Sequence, residues 1–124
     1  MVNNMNGMKE RLRNLTKKDI LVAMKTTMKN GFILFKNKLN DYGLDTYKTV
    51  GAIGIYLRMK EKFNRVENLL QSKLEPNCES IEDNLQDIWV LGATLMAMME
   101  YKVADPREMQ KQYQAILGEE QVTI

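Results

Sequence analysis

Apolar residues recur every three or four positions through most of the chain, and short polar punctuation separates the stretches that carry this period, which is the pattern of helices. The segment "TKKD" forms a capping-box signature, with Thr16 at the N-cap and Asp19 three residues on, and it opens a helix expected over 16–40 that Gly31 would interrupt. "NDYGLDT" at 40–46 is a turn by composition, because Asn, Asp and Gly tolerate left-handed backbone. A second long helix then fits 46–71. "SKLEPNC" is a loop around Pro76, with Asn77 the candidate N-cap of a third helix reaching Tyr101. Asp105 and Pro106 open a last helix expected to reach Leu117 and stop at Gly118, ahead of a frayed tail. Runs such as "GFILF" and "GAIGIY" look strand-like, yet each sits inside a longer stretch of helical period and lacks a hairpin partner. The expectation is an all-α helical bundle of four to five helices forming a single domain over 1–124.

The third helix is unusual in where its charge lies. Glu79, Asp83 and Asp87 are spaced four apart and share one stripe, while Leu85, Ile88, Gly92, Leu95, Met96 and Met99 gather on the opposite side. Continuing the acidic line gives Val90, Thr94 and Ala97, and the run 88–99 has no charge, so this half is expected to be buried all round. Asp83 and Asp87 would then sit at the lip of a packed region. There, two like charges one turn apart repel, and a divalent cation would relieve them. A solvated face or a favourable helix N-terminus explains the same clustering without a ligand.

On the preceding helix, Glu61 shares a sector with Val50, Gly54, Leu57, Arg58, Arg65 and Asn68, while Met59, Phe63, Val66 and Leu70 form a separate apolar face. The short loop around Pro76 implies antiparallel packing of the two helices. Such packing brings Glu61 toward Asp83 and Asp87, flanked by Arg58, Lys62 and Arg65. Simple salt bridges from Arg58 and Arg65 to those acids are the plainer expectation.

Composition narrows the chemistry. The 124 residues are enough for one compact domain, and 18 basic against 16 acidic residues are interspersed, leaving no direct nucleic-acid signal and no membrane-binding stripe. The uncharged run is too short to span a bilayer and the N-terminus lacks a signal-peptide core, so a cytoplasmic protein is expected. The single cysteine, Cys78, excludes an internal disulfide, and the absence of histidine removes Ser-His and Cys-His nucleophiles and the usual zinc sites. Ten methionines point to an adaptable core.

"NDYG", then "RMKEKFNRVENLL", a loop and "ESIEDNLQDIW" together resemble the phage and bacterial nucleotide-modification-associated domain, a group similar to the MazG-like all-α nucleoside triphosphate pyrophosphohydrolases, over 35–101. The resemblance implies a helical bundle that forms a homo-oligomer, dimer or tetramer, with acids on neighbouring helices holding magnesium. It assigns Glu61, Glu82, Asp83 and Asp87 to the metal, with Glu61, Asp83 and Asp87 catalytic. Arg58, Lys62 and Arg65 become contacts to a triphosphate, and Tyr42 or Tyr47 a stacking surface for the base. The implied reaction is magnesium-dependent hydrolysis of a nucleoside or deoxynucleoside triphosphate to monophosphate and pyrophosphate in a phage-type nucleotide metabolism. Two positions depart from the pattern. One turn after Glu61 stand Asn64 and Arg65 where a second acid is usual, and "IWVL" follows Asp87 where the phage domains carry an asparagine. The alternatives are a non-catalytic helical protein that sequesters a nucleotide, and a purely structural bundle.

Overall fold

The structure, a computed structural model, describes residues 2–72 and 78–122, with side chains described over 5–72 and 81–119. The chain is all-α. Its helices are α1 (Val2–Arg13), α2 (Lys17–Tyr42), α3 (Asp45–Gln71), α4 (Cys78–Glu100) and α5 (Pro106–Val122), with no strand among the described residues. They fall into two compact units, Met1–Leu34 and Phe35–Ile124. The second begins where the sequence resemblance begins.

In the first unit, the expected capping box forms in both directions. The Thr16 amide donates to Asp19 Oδ2 at 3.2 Å and the Asp19 amide to Thr16 Oγ1 at 3.1 Å, satisfying two amides that the helix start leaves without partners. α2 runs through Gly31 without interruption, because one glycine costs a helix only about 1 kcal/mol and the flanking residues propagate it. α1 is an element the periodicity reading did not assign.

In the second unit, α2 stops at Tyr42 because Gly43 adopts φ 73° and its amide closes on the Leu39 carbonyl at 2.8 Å, the left-handed ending expected of "NDYG". α3 covers the expected span but is broken by Gly51, whose φ 68° and ψ 178° lie in a region that glycine alone enters readily. α4 ends with Lys102 at φ 61°, where the Val103 amide bonds the Met98 carbonyl and the Lys102 amide that of Met99, a Schellman ending. α5 continues past Gly118 to Val122, since Gly118 does not take the positive φ that a glycine stop requires. Asn77 lies outside the described residues.

α3 and α4 form the packed centre of this unit. The ion pair of Lys62 with Asp87 and the approach of the Met59 methyl to Gly92 step in opposite directions along the two helices, which makes them antiparallel, as the loop length implied. Among the described residues Ile55, Val90 and Leu95 are the buried apolar side chains, and Thr94 is buried with its hydroxyl donating to the Val90 carbonyl at 2.7 Å. That hydrogen bond satisfies a polar group at the seam. α5 packs on α3 through Tyr113, whose ring meets Tyr56 edge-on at 5.6 Å and whose hydroxyl lies 3.4 Å from the Lys60 ammonium.

One expectation about the core is corrected. Leu85 and Met96, read as core residues of α4, are exposed, as are Phe63 and Leu70 of the apolar face assigned to α3. Leu95 of that expected face is buried, and so are Val90 and Thr94, which continue the acidic stripe, but Ala93 and Ala97 are exposed, so the uncharged half of α4 is not buried all round as expected.

Candidate functional site

A cleft of about 520 Å³ opens in the second unit, walled by the last two turns of α2, the turn after it, α3 and α4. Four cationic side chains line it, Lys38 from α2 and Arg58, Lys62 and Arg65 from α3, against two carboxylates, Glu61 of α3 and Asp87 of α4. Four positive against two negative groups leave a formal surplus of +2. Helical spacing explains the gathering: Arg58, Glu61, Lys62 and Arg65 are three or four residues apart and share one face of α3. Tyr42, Tyr47 and Thr46 form the side contributed by the α2–α3 turn, and Val90 and Leu91 supply an apolar wall.

Asp87 holds the cleft together. Its Oδ2 lies 2.9 Å from Lys62 Nζ and its Oδ1 3.4 Å from Lys38 Nζ, so one carboxylate ties α2, α3 and α4. The Asp87 side chain is about one quarter exposed, as is Lys62, which strengthens the pair relative to an open surface bridge. Arg58 and Arg65, expected to bridge the acids, form no ion pair among the described residues, and neither does Glu61. Their charges are available to a ligand. Tyr47 is half-buried and braced by Phe35, ring centroids 5.9 Å apart, and it also borders a neighbouring apolar cleft of about 580 Å³ lined by Leu39, Thr94, Met98 and Tyr101 among others. Tyr42 is exposed at the rim.

The cleft therefore unites seven of the residues singled out in the sequence: Tyr42, Tyr47, Arg58, Glu61, Lys62, Arg65 and Asp87. Glu82 and Asp83 are exposed on α4 and do not line it. The Glu79 side chain lies outside the described residues. Lys38 was missed, although its place one turn before Tyr42 on the same helix face was a usable signal. Among the described residues no three of His, Cys, Asp and Glu stand together as a metal cage. Glu61 and Asp87 line a common cleft, and one or two carboxylates completed by phosphate oxygens and water suffice for magnesium. The donor set is thus compatible with magnesium that arrives with a polyphosphate. Among the described residues, no helix is long and apolar enough to cross a membrane. Compared with family models, curated proteins and solved structures, the chain matches none of them.

Proposed function

We propose that the chain binds a nucleotide through its polyphosphate in the cleft between α2, α3 and α4. The observation that carries this reading is the excess of cations over carboxylates, with Arg58 and Arg65 unpaired among the described residues. Guanidinium groups present planar forks of donors that match phosphate oxygens, and the lysines add positive charge. Tyr47, held at an angle by Phe35, and the exposed Tyr42 offer aromatic surface to a base. A triphosphate suits the site better than a monophosphate, because several cations spread over about two turns of α3 need several phosphates to engage them.

A second reading, magnesium-dependent pyrophosphohydrolysis, draws support from the joint presence of Glu61 and Asp87 in the cleft. In that reading the two carboxylates would hold the ion, whose chemistry would be to neutralise phosphate oxygens and lower the pKa of a coordinated water. Arg58 and Arg65 would orient the triphosphate, and Glu61, free of an ion pair among the described residues, would hold the ion beside the attacking water. Asp87 is the weaker point, because both its oxygens face lysines.

Titrating the protein with a panel of nucleoside mono-, di- and triphosphates, with and without magnesium, tests both readings. Binding predicts thermal stabilisation that grows with phosphate number and weakens with salt, worth about 2.7 kcal/mol at a hundred times Kd. Release of pyrophosphate, abolished by Glu61→Gln, moves the second reading to the front. No stabilisation by any triphosphate overturns both.

A further inference from the structure

The cationic cleft does not end at Tyr47. Along α4, Asp87, Val90, Thr94, Ala97, Met98 and Tyr101 fall within about 120° of one another, so they form one face that runs about 21 Å down the helix. The first two line the cationic cleft and the last four the apolar cleft of about 580 Å³. α2 repeats the order on a single face of its own, with Tyr42 and Lys38 in the cationic cleft and Leu39 and Phe35 in the apolar one. Tyr47 borders both. Cations therefore occupy one end of a continuous trough and apolar side chains the other.

We infer that the trough takes a diphosphate ester of a single hydrocarbon chain, with its phosphates on the cations and its chain in the apolar cleft. The inference rests on the polyphosphate half of the reading above and is independent of the nucleoside. Both ligands need Arg58, Lys62 and Arg65, so they exclude one another. The surplus of positive charge at one end fixes the anionic head, and the continuity of the two clefts along α2 and α4 fixes where the rest of the same molecule must lie.

The lining of the apolar cleft selects a chain over a base. A nucleobase seated there would need partners for the donors and acceptors along its edge, and leaving them unmade is costly. The Thr94 hydroxyl already donates its proton to the Val90 carbonyl. Lys48 and Tyr101 are exposed, where water satisfies their polar ends. Apart from Tyr47, the remaining side chains of the wall carry no strong hydrogen-bonding group. A hydrocarbon chain asks for none, and Met98, unbranched and adaptable, suits a flexible one.

Calorimetry of the full chain with geranyl diphosphate and with inorganic pyrophosphate, both without magnesium, separates the contribution of the chain from that of the phosphates. Geranyl diphosphate should bind about 50-fold more tightly, the gain from burying the equivalent of three methylenes. Salt should weaken both ligands alike and leave their ratio unchanged. Ala97 is exposed on α4, so Ala97→Phe and Ala97→Glu should keep the fold while one fills the apolar cleft and the other charges it. Either should remove most of the ratio, and Ala97→Phe should leave pyrophosphate affinity unchanged. Tight binding of geranyl diphosphate with no binding of any nucleotide upholds the inference and sinks only the nucleoside half of the earlier reading. Equal binding of the two ligands overturns the inference and leaves the polyphosphate reading standing, whereas binding of neither overturns both. A ratio that survives both Ala97 variants, or geraniol binding as tightly as its diphosphate, would also overturn it. So would a ligand-free mass above 14.4 kDa in sedimentation that Ala97→Glu lowers to one chain, since a second copy then covers the cleft.

Discussion

Lys62 of α3 and Asp87 of α4 meet at 2.9 Å across an antiparallel helix pair, and the same carboxylate reaches Lys38 of α2 at 3.4 Å. The carboxylate therefore links three helices and competes with any incoming phosphate for two of the cleft's four cations. Asp87→Asn removes that competition. If the cleft binds a polyphosphate through its cations alone, this variant should bind a nucleoside triphosphate about 3–10-fold more tightly without magnesium, read by calorimetry. Weaker binding that appears only with magnesium present would instead identify Asp87 as a metal ligand.

Arg58 and Arg65 line the cleft with no ion pair among the described residues. Replacing either with alanine should weaken triphosphate binding by about 10-fold, or roughly 1.4 kcal/mol, and reduce the dependence of Kd on salt. Stability should change by less than about 0.5 kcal/mol, as expected for an exposed side chain. A large loss of stability in place of affinity would make the arginines structural.

Gly51 interrupts α3 at φ 68° and ψ 178°. A Cβ there meets no atom within 4 Å, so the cost of Gly51→Ala is conformational rather than steric crowding by neighbours. It should destabilise the protein by about 1–3 kcal/mol in urea titration. Lys102 at φ 61° is the converse case, and Lys102→Gly should stabilise by about 0.5–1 kcal/mol as it relieves left-handed strain at the end of α4.

Ile55 of α3 is 1% exposed, and α4 is the helix that packs most on α3. Ile55→Ala should cost about 2–5 kcal/mol, measured by denaturant unfolding. A cost under about 1 kcal/mol would mean that the α3–α4 seam relaxes around the cavity.

Local sequence determined the helices and several of their ends, because capping and turn chemistry act over three or four residues. Thr16 with Asp19 and "NDYG" with Gly43 are cases where residue type and backbone geometry agree. The face of α3 that carries Arg58, Glu61, Lys62 and Arg65 was equally legible, since it follows from 3.6 residues per turn. Tertiary packing decided which carboxylate meets that face. Asp83 and Asp87 share a stripe in the sequence, yet only Asp87 reaches the cleft, because the register of α4 against α3 sets it level with Lys62 and leaves Asp83 one turn away. The same register buried Val90 and Thr94 and left Leu85 and Met96 exposed. Periodicity fixes the angle of a side chain about its own helix axis. The rotation and sliding of one helix against another depend on how ridges and grooves fit, and no single segment contains that information.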